Sequence, residues 1–338
     1  MVASNDRLFG TALILAAAIS WGTWSLWLRP TGLPSEVTTP ILFLAMALGA
    51  WPLMLRERAP RWSKRAVLLL IAFGVSDAIN VGTFFAAMSV TTVAIAVLTH
   101  YAAPVIVALL APRIDGVHVP HAKLAALLAL VGLTIVLQPW RELEGDVATA
   151  SAGSTADVVA GSAGSTADVV AGSAGSAADV VAGSAGSAAD VVLGAILGLV
   201  SACAYASNVF LARRLTEDLG ASRTLGLHSV IAALLLLPLA GSRLFEIELV
   251  DVPYLAIGCL GPGLLAGLAF LRALTLIGAA RASILAFVEP LVACLVGFLV
   301  WDEPLGWSVV VGGALVIAAG VLVVGPRRAT GSQTAIPE

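Results

Sequence analysis

Phe84–Ala111 reads FFAAMSVTTVAIAVLTHYAAPVIVALLA, and Phe270–Gly297 reads FLRALTLIGAARASILAFVEPLVACLVG. The two stretches align without a gap at an offset of 186 residues. Phe84/Phe270, Ala87/Ala273, Ala94/Ala280, Ala96/Ala282 and Pro104/Pro290 coincide, and most other pairs are apolar on both sides. An internal repeat of hydrophobic helices, each carrying a mid-helix proline, is the sequence pattern of secondary transporters. It points to a solute site at mid-membrane, between two halves of one chain.

The repeat extends outward. Gly10–Arg29 aligns with Gly194–Arg213 at an offset of 184, with Gly10/Gly194, Leu13/Leu197, Leu15/Leu199, Ala18/Ala202 and Arg29/Arg213 matched and Trp21 opposite Tyr205. Hydrophobic residues make up 59% of the chain and charged residues 12%, so no single water-soluble core could hide the apolar surface. A bilayer span needs about 20 mainly apolar residues. Ten segments qualify as candidates: about 8–28, 37–55, 65–88, 91–111, 122–139, 190–212, 223–241, 252–276, 279–301 and 305–325. The boundary at Ser89–Thr92 is the least distinct. The first run lacks a small-x-small cleavage pattern and continues through tryptophans, so it reads as a retained helix.

The expected fold is therefore an all-α integral membrane protein of ten helices in two inverted five-helix repeats. An odd number of spans per repeat makes the second half enter from the opposite side. The expected divisions are 1–138 (first repeat), 139–189 (external linker), 190–326 (second repeat) and 327–338 (cytoplasmic tail). With the N-terminus inside, 14 lysines and arginines fall on the cytoplasmic side against three (Arg29, Arg141, Arg243) outside, with Arg272 within a span. That asymmetry places both termini in the cytoplasm and the linker outside a cell membrane. Trp140, Trp301 and Trp307 then form an outer aromatic belt and Trp51 an inner anchor.

The linker repeats a unit of roughly DVVAGSAGSAA every 11 residues, with aspartates at Asp146, Asp157, Asp168, Asp179 and Asp190. Its glycines and serines are poor helix formers, which favours a flexible, mildly acidic connection. One carboxylate per repeat is thin coordination for calcium, and no metal site is expected. Cys203, Cys259 and Cys294 fall in apolar runs without metal-ligand spacing and read as small buried hydrophobes.

Ala282–Pro290 (ASILAFVEP), followed by Gly297 and Asp302-Glu303, resembles the ninth-helix region of EamA-type drug/metabolite transporters. So do Ser20-Trp21-Gly22-Thr23 in the first helix and Tyr205-Ala206-Ser207-Asn208 in the sixth. The resemblance covers the chain apart from the linker and tail. It implies a ten-helix carrier that exports or exchanges small metabolites, amino acids or drugs, with helices 1, 3, 4, 6, 8 and 9 around a central cavity. The acidic position is not duplicated: Ala103 stands where the second half has Glu289.

Ionisable groups inside spans are costly, so each is a candidate for work. Glu289 lies about 12–15 Å deep at 1.5 Å per residue. It is a candidate proton or substrate group, or a protonated acid holding two helices together. Pro290 is expected to free the carbonyl of Ala286 as a further polar spot. His100, four residues before Pro104, should share the depth of Glu289; it can hold a proton or a substrate carboxylate, or simply bond a backbone carbonyl. Asp77 and Asn80 share one face of the third helix. Opposite Asp77 in the repeat stands Gly263, within Gly261-Pro262-Gly263, a sequence expected to break or bend the eighth helix and leave backbone groups available to a ligand. Trp21 and Trp24, with Ala17, and Tyr205 and Asn208, with Ser201, form matching faces. These rings, with Tyr101, suit either a cavity wall or plain packing. Arg272 is expected to snorkel and Arg281 to sit at the inner mouth of the ninth helix.

The leading expectation is a secondary active carrier with alternating access, with protons as an optional coupling ion. A passive facilitator or channel and a non-transporting sensor are the alternatives. Accumulation against a gradient separates the first from both. No P-loop, metal cluster or nucleophile–base spacing suggests an enzyme, and no cofactor or nucleic-acid partner is expected. Substrate and oligomeric state are not legible.

Overall fold

The computed structural model describes residues 2–116, 119–140, 188–303 and 305–324. Nearly all of the expected linker and the expected tail lie outside the described residues. The first half folds into α1 (Val2–Trp21), α2 (Trp24–Leu28), α3 (Ser35–Met54), α4 (Lys64–Val90), α5 (Val93–His100), α6 (Ala103–Ile114) and α7 (Ala122–Leu137). The second half begins with α8 (Ala188–Leu219), α9 (Ala221–Ala240) and α10 (Asp251–Gly258). A π-helical segment, Cys259–Leu265, leads into α11 (Ala266–Ile277). Then follow α12 (Ala279–Leu285), α13 (Val288–Val300) and α14 (Trp307–Val324). No strand occurs among the described residues.

Among the described residues, eight helical stretches are long and apolar enough to cross a membrane, and nine when the pair Asn5–Trp21 and Trp24–Thr31, bent by 40°, counts as one span. The tenth expected segment is α7, whose 16 residues reach only about 24 Å at 1.5 Å per residue, short of a hydrocarbon core of about 30 Å. It begins after His121 and ends before Gln138, both in the left-handed conformation. Large side chains such as Leu48, Trp51, Leu68, Leu234, Leu299 and Val321 are exposed around the bundle. A surface of that kind is stable only against lipid: this is a multi-pass membrane protein.

The helices pair across the two halves: α4 packs along α8, α3 along α9, α7 along α14, α1 against α11 and α6 against α12. Small residues permit the closest crossings. A side chain at Gly10 would strike Leu276 and Ile277, and one at Gly194 would strike Thr91. A Cβ at either Gly132 or Gly312 would meet the other's carbonyl. At Gly22 it would meet Val292 and the Glu289 carbonyl, which gives the Trp-Gly pair of the first helix a steric reason.

Local chemistry sets the helix ends. Ser63 caps α4 by accepting from the Ala66 N–H at 3.0 Å, and Thr92 caps α5 through the Ile95 N–H at 3.4 Å. The Ser89–Thr92 boundary is thus a real break, and at the matching place Gly278 (φ 82°) opens α12. Glu57, in the bend after α3, caps α9, accepting from the Ser222 N–H at 2.8 Å and the Arg223 N–H at 3.3 Å, where a carboxylate also complements the helix dipole.

Four expectations change. The Gly261-Pro262-Gly263 sequence does not break the chain; the lost proline N–H is absorbed in a wide π turn that carries the helix through. The Ala286 carbonyl beside Pro290 is not left open, because the Glu289 N–H bonds it at 2.9 Å. Cys203 is exposed on the outer face of α8, whereas Cys259 and Cys294 are buried. Arg281 is buried, donating from Nε to the Val323 carbonyl at 3.1 Å.

Candidate functional site

A cavity of about 300 Å³ lies at the centre of the bundle, walled by α1 to α6, α8, α9, the π segment, and α11 to α13. Its size falls at the lower end of small-molecule pockets. All nine sequence candidates for binding line it: Trp21, Trp24, Asp77, Asn80, His100, Tyr101, Tyr205, Asn208 and Glu289. Of the expected hinge residues, Pro104, Pro262 and Gly263 reach the cavity, whereas Gly261 and Pro290 do not.

Where the paired prolines act, the helices of both halves interrupt. α5 stops at His100 and α6 starts at Ala103; α12 stops at Leu285 and α13 starts at Val288. These interruptions present His100 and Tyr101 from one half and Glu289, in the first turn of α13, from the other. Tyr101 and Glu289 thus line the same cavity, one from each half. Tyr101 also packs on Phe287, with ring centroids 5.6 Å apart.

His100 does not take Glu289 as its hydrogen-bond partner; its Nδ1 lies 2.8 Å from the Ser201 hydroxyl. That hydroxyl also lies 2.8 Å from the Asn80 carbonyl and 2.9 Å from Asn80 Oδ1. A serine has one hydrogen to give and both Asn80 atoms only accept, so Ser201 donates to Asn80 and His100 Nδ1 donates to Ser201. In the neutral ring Nε2 is then an acceptor. Phe84, Tyr101 and Tyr205 surround the imidazole at centroid distances of 4.6, 5.5 and 5.5 Å.

The second polar cluster was only half visible in the sequence. Asp77 Oδ1 accepts from Asn208 Nδ2 at 2.8 Å and from Asn80 Nδ2 at 3.4 Å. Asp77 Oδ2 lies 3.2 Å from His228 Nε2, while His228 Nδ1 lies 2.9 Å from the Thr224 carbonyl. Both ring nitrogens of His228 therefore face acceptors. With Nδ1 donating to Thr224, the contact with Asp77 requires a second proton between carboxylate and ring. Phe73 stacks on the imidazole at 4.0 Å, and Phe43 meets it edge-on at 6.2 Å. His228 had a sequence signal, an ionisable residue inside the apolar run 223–241, but its contact with Asp77 depends on the packing of α9 against α4.

The aromatic face of the first helix is cavity wall rather than lipid contact. Trp24 is buried, and Trp21 donates its Nε1–H to the Pro262 carbonyl at 2.9 Å and packs on Phe270 at 5.2 Å. The π turn thus gives its polar backbone to Trp21. Arg272 is exposed and is absent from the cavity lining.

Two ion pairs close the ends of the first and sixth expected helices. Arg29 Nη1 bonds Glu303 Oε1 at 2.8 Å and lies over the Trp301 ring at 5.2 Å. Arg213 Nη1 bonds Asp115 Oδ2 at 2.6 Å.

A multi-pass helical bundle enclosing an aromatic cavity with carboxylates defines the class, a membrane transporter. Residues 192–325 match the EamA-like transporter family. A protein of Archaeoglobus fulgidus described as an uncharacterized transporter is 27% identical over 322 residues, covering 93% of this chain and 96% of that protein. A solved crystal structure has the same fold, with a TM-score of 0.65 at 16% identity, covering 94% of this chain and 98% of the other. Both matches support an EamA-type transporter.

Proposed function

We propose that the protein is a secondary transporter, an exporter or exchanger of a small organic solute, working by alternating access at the central cavity. In this reading the eight long helices, the bent first span and α7 are the ten helices of two inverted repeats. The observation that carries it is that contacts come in exchangeable pairs. Swapping the halves turns the α1–α11 pairing into the α8–α4 pairing and returns α3–α9 and α7–α14 to themselves. Gly10 against Ile277 becomes Gly194 against Thr91 under the same exchange. The Arg29–Glu303 pair has its counterpart, two residues out of register on the acidic side, in Arg213–Asp115, joining the first helix of each repeat to the end of the fourth helix of the other.

Two equivalent closures on opposite faces are what an alternating-access carrier needs: opening one while keeping the other exposes the cavity to one side at a time. The distribution of lysine and arginine supports an Arg29 closure outside and an Arg213 closure in the cytoplasm.

The test is side-specific labelling in right-side-out vesicles. A version lacking native cysteines receives Ala286→Cys in the cavity wall and is exposed to an impermeant maleimide from either face. Arg29→Gln is expected to raise external labelling and lower internal labelling, and Arg213→Gln to do the reverse. Labelling that rises from both faces together in either variant indicates a channel and overturns the carrier reading.

A further inference from the structure

We infer that the central cavity has a lateral portal, an opening between α3 and α4 on the lipid-facing side, and that amphipathic solutes pass through it between the outer leaflet and the site, with Phe85 as the inner gate. The inference rests on the cavity being the transport site and adds a route to it.

A second cavity, of about 400 Å³, lies where the start of α3 meets the ends of α4 and α9. Thr39, Val81 and Phe85 line both this cavity and the central one, so a single layer of side chains divides the two. Phe85 is half-buried, and its ring lies 6.0 Å from that of Phe84, which in turn lies 4.6 Å from His100. Leu236 and Leu239 stand on the α9 side, and Leu239 is 62% exposed, so the second cavity reaches the lipid-facing surface. Ser35, Glu36, Ser89 and Arg243 rim it at the helix ends. In the orientation proposed above, that rim is the outer interface. Apolar walls under a polar rim suit a solute with an apolar body and a polar head.

The opening belongs to one half. Exchange of the halves turns the α9–α11 contact into an α3–α4 contact. α9 and α11 pack together, with Gly267 set against Leu225, whereas α3 and α4 each pack on α9 and are not packed along one another. The residues follow the same division. At the offset of 186, Gly82 stands opposite Leu268, whose side chain packs on the core. Glycine in a membrane helix commonly serves a close helix crossing. Gly82 does not, since a Cβ there would meet nothing within 4 Å; its missing side chain keeps the gap clear. The ion pairs Arg29–Glu303 and Arg213–Asp115 are both formed while this seam stays unpacked. A lateral passage also spares an apolar body the transfer from lipid into water that a route through the ends of the bundle requires.

The test uses the full-length protein without native cysteines, carrying Ala286→Cys, in right-side-out vesicles with glutathione trapped inside. Two reagents are added outside: a charged, impermeant maleimide and pyrenylmaleimide, which enters the leaflet. Gly82→Trp fills the portal and is expected to slow initial labelling by pyrenylmaleimide about tenfold or more, leaving the impermeant reagent's rate unchanged. Gly82→Leu, the residue of the other half, should slow it less, Gly82→Ala not at all, and Phe85→Ala should speed it. If Gly82→Trp does not fold, Gly82→Leu and Phe85→Ala decide. Pyrenylmaleimide labelling indifferent to these substitutions overturns the portal. So does equal slowing of both reagents, which makes this mouth a water route. In both of those cases, impermeant labelling that persists leaves the central site standing. No labelling by either reagent from either face rejects the site together with the portal.

Discussion

The two halves of the cavity wall share a frame and divide the chemistry. Helices interrupt within one residue of matching positions, at Tyr101-Ala102 and at Ala286-Phe287, and Gly10 and Gly194 make matching crossings. Yet His100 stands opposite Ala286, Ala103 opposite Glu289, Asp77 opposite Gly263 and Trp24 opposite Asn208. In the carrier proposed above, duplicated packing would let two conformations be near mirror images in energy. Unduplicated side chains give a ligand of one orientation a site with distinct ends. The lesson is that frame and recognition obey different symmetry in one molecule.

The comparison breaks most severely at the Asp77 end. Asp77→Ala leaves His228, only 3% exposed in its side chain, without its carboxylate partner; a buried polar group left unsatisfied costs about 1–3 kcal/mol. Thermal unfolding in detergent should register it, and an unchanged midpoint would mean the pair contributes nothing. The frame comes next. Gly312→Val forces a side chain onto the Gly132 carbonyl, and overpacking of this kind costs about 1–3 kcal/mol, read by the same melt. Glu289→Gln should leave stability intact while abolishing proton-coupled accumulation in liposomes and keeping some exchange; equal pH dependence in variant and wild type would remove Glu289 from coupling. At the small end, Arg29→Gln should cost at most about 1 kcal/mol, as partly exposed ion pairs do, yet change the side from which the cavity labels. Deleting 147–189 should leave flux unaltered, and lost flux would give the repeats a role in transport.

Apolar runs and the Phe84/Phe270 repeat made the helical membrane fold legible, because a bilayer demands long apolar segments whatever their packing. The nine lining candidates were legible for a related reason: polar and aromatic groups in such segments are expensive and few. What escaped needed three-dimensional contact. His228 is one turn of α9 until α4 brings Asp77 against it, and Ser201 fixes the His100 tautomer only through its two contacts with Asn80. The π turn escaped as well, since Gly-Pro-Gly reads as a break and only the neighbouring Trp21 N–H supplies a reason to continue.

That turn acts as a phase shifter. It inserts one residue into the helical count, and each residue of an α-helix advances the face by about 100°. Deleting a single residue between Cys259 and Leu265 would restore a uniform helix and keep its length within about 1.5 Å. It would also rotate Phe270 off Trp21 and turn Gly267 away from Leu225. The aim of the whole second half of this helix is thus set by one wide turn whose sequence looks like an interruption.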